Sequence, residues 1–289
     1  MKRIWTVSVA VAIALSPQAR ALDLASAQGS VEAMVKLRCS LDPAQEEILW
    51  WSGTVFAQQP EKKTVPLLGF EGYNICRAQK QEDGTWRLYT RELTFYRDLA
   101  TGKIIDSWDN PLTGQRNEVV HVANDPVNTV LNPPGRPMKL DWVEAGDQLM
   151  LTLNIPLAYP NPLSPAEFPA ESSGPMYLGS EHFMFFAPRA AMDDPALKTV
   201  PVSYGWTRLG PWLPWMKLGT TPGQLLYVAQ GNKRASVDEL PQDIQQLVRS
   251  KYPEYAHAPR EWVQPNVTSW TYYKQLRQQA KDQVSEGKD

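Results

Sequence analysis

The sequence has few of the residues that build metal and redox sites, since its 289 residues include only two cysteines and three histidines. Cys39 and Cys76 do not form a C-x-x-C motif, which argues against a thiolate metal site or a dithiol redox centre. The histidines form neither an H-x-H nor an H-E-x-x-H pattern, so their spacing predicts no metal site. We therefore expect neither a bound metal nor another cofactor. Whether the two cysteines form a disulfide depends on geometry and stays open here.

Several motifs of nucleotide and acyl chemistry are also absent. The sequence has no glycine-rich phosphate loop, no dinucleotide-binding fingerprint and no G-x-S-x-G nucleophile motif. It has no block of basic residues either, and its 29 lysines and arginines are outnumbered by 31 acidic residues. These properties disfavour binding to nucleic acid or to an anionic membrane surface.

The longest apolar run lies at the N-terminus. Lys2 and Arg3 precede an apolar segment at 4–15, and Ala-Arg-Ala at 19–21 fits a signal peptidase site. The run is shorter than the roughly 20 residues of a transmembrane helix. We therefore predict a signal peptide that is cleaved after Ala21, a periplasmic or secreted protein, and no membrane segment after cleavage. Cleavage would remove three basic residues and no acid, which changes the formal charge from −2 to −5.

The middle of the sequence predicts β-structure. Short stretches in which apolar and polar residues alternate are separated by turn signals of the Asp-Gly kind, as at 83–84. This spacing is typical of an antiparallel meander, which closes into a barrel or packs as a sandwich. We predict a mainly β protein, an antiparallel calycin-like β-barrel or closed sandwich. The predicted organisation is a helical segment at 22–47, the barrel at 48–235 and a C-terminal helical segment at 236–289 that packs on the barrel and frays at its end.

The densest polar cluster lies between residues 106 and 132. A predicted strand at 118–122 places His121 near a strand end beside carboxylates and amides, the arrangement expected of an oriented general base. We predict that His121 transfers a proton, assisted by Asp125 or by Glu181. The alternative is that Asn-Asp-Pro is turn chemistry, in which the side chains bond their own backbone.

The most aromatic stretch is the tryptophan loop, residues 205–219, with the sequence GWTRLGPWLPWMKLG. Its prolines and glycines exclude a regular helix or a continuous central strand, so we predict a strand ending near Leu209 and then a rigid apolar loop. The indoles either line a pocket for a small ligand or plug one end of a barrel. Arg208 shares a strand face with Trp206, where it would anchor an anion or pair with a buried carboxylate. The predicted ligand-binding residues are Trp206, Arg208, Trp212, Trp215, Met216, Asn124 and His182.

Two pairs of motifs in the sequence are distinctive. One is Asp109-Asn-Pro-Leu-Thr-Gly with Val120-His-Val-Ala-Asn-Asp-Pro-Val-Asn, and the other is the tryptophan loop with Pro222-Gly-Gln-Leu-Leu-Tyr. Together they resemble a bacterial and fungal family catalogued as domain of unknown function 1838, over about residues 31–259. The resemblance implies no activity, substrate or catalytic residue.

Three functions fit these observations. The first is a secreted β-barrel protein with an aromatic-lined pocket for a hydrophobic or aromatic small molecule, in which His121 supports isomerase, lyase or hydrolase chemistry. The second is a non-catalytic periplasmic carrier or carbohydrate-binding protein. The third is an assembly protein that uses the tryptophan loop as an interface. The sequence leaves the oligomeric state open.

Overall fold

The structure of the protein is a computed structural model, and it describes residues 22–286. The predicted signal peptide, residues 1–21, lies outside the described residues. None of the helices in this described range combines the length and the apolar composition that a membrane crossing requires.

The described residues form twelve strands, four α-helices and three short 3₁₀ helices. The strands are β1 (Glu47–Gln58), β2 (Val65–Lys80), β3 (Trp86–Arg97), β4 (Ser107–Asp109), β5 (Arg116–Glu118), β6 (Val122–Asn124), β7 (Thr129–Leu131), β8 (Trp142–Ala145), β9 (Gln148–Pro160), β10 (Met176–Pro188), β11 (Ser203–Gly210) and β12 (Gln224–Arg234). The helices are α1 (Ala27–Arg38), α2 (Arg189–Asp193), α3 (Gln242–Lys251) and α4 (Ser269–Glu286), with 3₁₀ turns at Pro214–Met216, Val237–Glu239 and Pro253–Ala256.

Ten of the strands form one antiparallel sheet. Its order is β6-β3-β2-β1-β12-β11-β10-β9-β8, with β7 also paired to β3, while β4 and β5 form a separate hairpin. The first and last strands of the chain, β1 and β12, are neighbours in the middle of the sheet. The predicted mainly β, antiparallel architecture is confirmed.

The two ends of this sheet are not joined by backbone pairing. Among residues 22–286, no strand pair connects β6 or β7 to β8, so the sheet is open and a closed barrel is not confirmed. Helix α1 bridges the interior instead. The Ser30 hydroxyl accepts hydrogen bonds from the Leu140 N–H (3.1 Å) and the Trp142 indole (3.0 Å), and Glu32 pairs with Lys80 of β2 at 2.7 Å.

Side chains alternate between two faces of the sheet, as the two-residue period of a strand requires. On the inner face, residues of the long strands form one hydrophobic core with α1 and the tryptophan loop. The sheet is strongly curved around this face. The ring centroids of Phe70 on β2 and Trp206 on β11 lie 5.6 Å apart, although three strand spacings, about 14 Å, would separate these strands in a flat sheet.

A disulfide fixes α1 to the inner face. Cys39, directly after α1, is bonded to Cys76 on β2, with their Cα atoms 5.4 Å apart. The cross-strand partner of Cys76 is Thr90 on β3, two residues before Glu92. The bond therefore holds Arg38, the last residue of α1, close to the part of β3 that carries Glu92.

Helix α3 and the 3₁₀ turns on either side of it cover the outer face of β1, β2 and β3, where a second hydrophobic core lies, whereas Trp270 and Tyr273 of α4 belong to the core of the inner face. The Tyr73 hydroxyl donates to the carbonyl of Tyr255 at 2.9 Å. Arg97 bonds Asp243 of α3 and Glu71 of β2, both at 2.6 Å. This layer supports β3 from behind and fixes the side chains that β3 presents to the inner face.

Candidate functional site

Four charged side chains from four separate elements converge on the inner face. Arg38 comes from α1, Glu92 from β3, Glu181 from β10 and Arg208 from β11, and Glu92 interacts electrostatically with the other three. All four are only partly buried although they point to the interior, so accessible space adjoins them. We call these residues the inner site, together with two indoles beside them, Trp51 and Trp206.

Strand register brings Glu181 and Arg208 together, because they are direct cross-strand partners on β10 and β11. The Arg208 Nε lies 3.6 Å from Glu181 Oε1, and the two side chains are 18% and 20% exposed. Arg208 Nη2 also donates to the Tyr177 hydroxyl at 2.5 Å, and its guanidinium lies 5.7 Å from the Tyr227 ring centroid. Burial works against the charge, but Tyr177 and Glu181 outweigh it and raise the pKa of Arg208, so this side chain stays cationic.

Glu92 has an environment that disfavours its charge. It makes no hydrogen bond or ion pair with any other described residue, and its cross-strand neighbour is Asn74. Burial, reinforced by the negative charge of Glu181, raises the pKa of Glu92 to about 7, although Arg208 and Arg38 act in the opposite direction. A carboxyl group of this kind can give or accept a proton near neutral pH.

Arg38 is the least satisfied charge of the inner site. Its guanidinium makes no hydrogen bond or ion pair within residues 22–286, and its Nε is buried without a partner. Burial lowers the pKa of Arg38, and the electrostatic effects of Tyr204, Glu181 and Glu92 oppose that change. Because a guanidinium carries five donors, leaving it unpaired in the interior is costly.

Aromatic rings form the wall beside these charges, with Trp206 at the centre. Its ring centroid lies 6.0 Å from that of Trp51, 5.6 Å from Phe70, 6.0 Å from Phe183 and 6.1 Å from Tyr227. The indole N–H groups of Trp51 and Trp206 have no hydrogen-bond partner in the described part of the chain. The wall is therefore apolar but retains two unused donors.

The tryptophan loop packs into the core of the inner face. Trp212 and Trp215 are each 2% exposed and Met216 is 0% exposed. The Trp212 indole donates to the carbonyl of Thr221 at 2.8 Å, and the Trp215 ring packs edge-on against Tyr96 at 5.4 Å. These three residues lie in the core of the chain itself.

The predicted strand that carries His121 is interrupted. β5 ends at Glu118 and β6 begins at Val122, so His121 lies in the connection between two strands that pair with different partners. Its ring packs against Phe95 at 5.2 Å, and its Nδ1 accepts a hydrogen bond from the Tyr96 N–H at 3.2 Å. Burial lowers the pKa of His121 to about 4, so the ring is neutral at pH 7.

Asp125 and Asn124 connect β6 to the C-terminal region. Asp125 pairs with the Arg91 Nε at 2.7 Å, and Arg91 also donates to the carbonyl of His257 at 3.0 Å. Asn124 is buried, and its amide donates to the Ser269 hydroxyl at 3.3 Å. Their observed contacts are those of side chains that fasten one segment to another.

His182 lies on the outer face of β10, where its ring nitrogens contact Asn154 Oδ1 at 2.8 Å and Ser180 Oγ at 3.2 Å. Of the residues predicted from sequence, the structure brings Glu181, Trp206 and Arg208 together in the inner site. The remaining predicted site residues lie elsewhere: His121, Asp125, Asn124, His182, Trp212, Trp215 and Met216.

Sequence reasoning missed three members of the inner site, namely Arg38, Glu92 and Trp51. A signal for Glu92 was present, because it lies in phase with Leu88 and Tyr96 in an alternating strand. A carboxylate on a strand face that is expected to be buried is unusual. Arg38 had no comparable signal, since its position depends on the disulfide and on how α1 packs.

Outside the inner site, the described structure has surface hollows but no cluster of metal ligands. Within the described range, no three His, Cys, Asp or Glu side chains are grouped in a way that could hold a metal ion. Two surface hollows lie outside the inner site, one beside Arg77 and Arg260 and the other beside Lys80 and Trp262.

Two solved structures were compared with the chain. A complex of Pseudomonas aeruginosa MucA and MucB covers 82% of this chain and 99% of its own, at 10% identity and a TM-score of 0.11. A crystal structure of MucB with MucA(peri) covers 75% and 94%, at 9% identity and a TM-score of 0.11. Scores this low support no conclusion about fold or function.

Sequence comparison places the chain in a family without indicating an activity. No curated protein matches the sequence at a significant level. The model of the family described as "Protein of unknown function (DUF1838)" matches residues 44–277, and the chain therefore belongs to that family.

Proposed function

We propose that the protein binds a hydrophobic or aromatic small molecule in the inner site. One observation carries this proposal: four charged side chains and two unpaired indole N–H groups converge from α1 and four strands on an aromatic face that stays partly accessible. Ligand sites typically combine such apolar walls with a few convergent polar groups. The body of the ligand would lie against Trp206 and its polar end would face the charges.

We further propose that the curved sheet acts as a calycin-like container although its ends are not paired. Helix α1 and the tryptophan loop both pack into the core of the inner face, and we propose that the loop closes one end of the container. Such an arrangement encloses a ligand on several sides without requiring a complete barrel.

The proposed location is the periplasm or the outside of the cell, after cleavage following Ala21. The Cys39–Cys76 disulfide supports this proposal, because disulfides persist in oxidising compartments. The charged start and apolar run at positions 2–15 support it as well. N-terminal sequencing of the mature protein would then begin at Leu22, whereas an intact N-terminus would contradict it. We propose neither a nucleic acid nor a membrane as partner.

Binding can be tested with N-phenyl-1-naphthylamine, an uncharged aromatic probe whose fluorescence rises in apolar surroundings. We expect saturable binding that weakens about tenfold in Trp206→Leu, since that change removes the central ring of the wall. Trp262→Leu is the matched control, because Trp262 packs against Tyr89 on the outer face at 5.6 Å. Absence of saturable binding, or an equal loss in both variants, would refute the proposal.

Acid–base catalysis is a second candidate function at the same site. The observation that favours it is Glu92, whose pKa is raised to about 7 by burial and which lies near a second carboxylate, Glu181. The inner site thus offers Glu92 for the role that the sequence suggested for His121. Native mass spectrometry can distinguish a carrier from an acid–base enzyme. If the protein is a carrier, Glu92→Gln and the wild type would retain the same adduct. If Glu92 converts the ligand, the two proteins would retain different adducts.

A further inference from the structure

We infer that the ligand of the inner site is an amphipathic anion, with an aromatic or hydrophobic body and one acidic group that binds Arg38. This inference rests on the proposed function and narrows it to a ligand class. Its basis is the kind of polar atom that the inner site leaves without a partner, together with the site's charge balance.

The buried polar atoms of the inner-site residues that lack a hydrogen-bond partner are all donors. Four buried N–H groups lack a hydrogen-bond partner among residues 22–286: Nε of Arg38, Nε of Arg208, Nε1 of Trp51 and Nε1 of Trp206. Trp51 is only 8% exposed, so solvent has little access to its indole. Buried donors without acceptors are unfavourable, and the oxygens of a carboxylate or sulfonate would supply several acceptors at once.

The charges of the inner site are also not balanced. Arg208 and Glu181 compensate each other across one strand pair. The remaining carboxyl that acts electrostatically on Arg38 is Glu92, which is neutral for part of the time at pH 7 because burial raises its pKa. An acidic group beside Arg38 would restore the balance and would itself favour the neutral form of Glu92. Asn74, directly opposite Glu92, has an unpaired Oδ1 that can accept a hydrogen bond from that neutral carboxyl.

Other ligand classes satisfy this arrangement less well. A cation would be repelled by the guanidinium groups of Arg38 and Arg208, and it would offer no hydrogen-bond acceptor to the unpaired donors. A neutral ketone or ether would accept one or two hydrogen bonds but would leave the charge of Arg38 uncompensated. Only an anion both accepts hydrogen bonds from the unpaired N–H groups and compensates the positive charge of Arg38.

Two probes with the same anilinonaphthalene body allow a direct test. 8-Anilinonaphthalene-1-sulfonate carries a permanent negative charge, and N-phenyl-1-naphthylamine carries none. We expect the ratio of their dissociation constants to shift at least about tenfold against the sulfonate in Arg38→Gln, with the neutral probe changed less than about threefold. The matched control is Arg116→Gln, which removes an equal charge from a side chain that is 67% exposed. That control should leave the ratio unchanged.

The outcomes separate this inference from the proposed function. If both probes bind and Arg38→Gln does not change the ratio, the ligand is not an anion at Arg38, but the site still binds small molecules. If neither probe binds the wild type, both proposals fail. Should Arg38→Gln not fold by circular dichroism, displacement from the wild-type protein decides instead. 1-Naphthoate is expected to displace the sulfonate probe at a concentration at least about tenfold lower than 1-naphthalenemethanol, and equal displacement would overturn the inference.

Discussion

Replacing Glu92 by glutamine is expected to stabilise the protein at pH 8 and to leave its stability at pH 4.5 almost unchanged. The ordinary pKa of this carboxyl group is 4.5, and burial raises it to about 7 in the folded protein. Glutamine is close in shape to the protonated form of glutamate but cannot ionise. The substitution therefore removes the cost of charging this position without removing the side chain.

The sign follows from proton binding. Between about pH 4.5 and pH 7 the folded protein holds the Glu92 proton while the unfolded chain releases it. The favourable contribution is fully present below pH 4.5 and is lost as the pH rises through 7. With about 1.4 kcal/mol for each pH unit, the loss reaches at most about 3 kcal/mol. The charged groups that act on Glu92 are Glu181, Arg208 and Arg38, and each is present in both the wild type and the variant.

The measurement is urea unfolding followed by tryptophan fluorescence at pH 4.5 and pH 8, for the wild type and Glu92→Gln. The matched control is Glu82→Gln in the exposed turn between β2 and β3, for which we expect no difference between the two pH values. The reasoning is refuted if Glu92→Gln lowers the free energy of unfolding at pH 8. That result would mean that Arg38 and Arg208 hold Glu92 in its charged form, and it would also remove the charge imbalance from which an anionic ligand is inferred.

Two further predictions concern the elements that enclose the inner site. Replacing both Cys39 and Cys76 by alanine removes a bond between residues 37 positions apart. Urea unfolding should then give a free energy of unfolding about 4 kcal/mol lower, because the unfolded chain gains the entropy of the opened loop. An unchanged value in the double variant would show that the bond adds no stability. Trp215→Ala empties a buried position in the tryptophan loop and should cost about 3–5 kcal/mol in thermal unfolding, whereas Trp262→Ala on the outer face serves as the control and should cost much less.

The strands were predictable because the sequence patterns that specify them involve only neighbouring residues. Alternation in β3 and the Asp-Gly turn before it depend on neighbouring residues, and so does the end of β11 just before the prolines of the tryptophan loop. Closure of the sheet was not predictable in this way. Whether β8 meets β6 depends on curvature summed over the whole sheet, which no single segment encodes.

The same distinction between local and long-range information explains which residues of the inner site could be predicted. Glu181 and Arg208 were selected in the sequence for their neighbours, and the register of two adjacent strands then placed them together. His121 was selected because polar residues surround it in the chain, but β5 pairs with β4 and β6 with β3, and this breaks the predicted strand at His121. Arg38 was missed because it is 54 residues from Glu92 in sequence and reaches it only through a disulfide and the packing of a helix.

Folding alone does not explain why Arg38 and Glu92 lie in the interior. Apolar residues of similar volume are often as stable as buried charges, or more stable, and Glu92 makes no hydrogen bond or ion pair with another described residue that would compensate for its burial. The disulfide fixes the residue directly after Arg38 to the strand next to β3, so the chain stabilises the placement of a side chain that is itself unfavourable. Groups that cost stability yet are held in place are typical of binding and catalytic sites. This is the physical reason for assigning function to the inner site rather than to the polar cluster around His121, where Asp125 is paired with Arg91 and the Asn124 amide donates to Ser269.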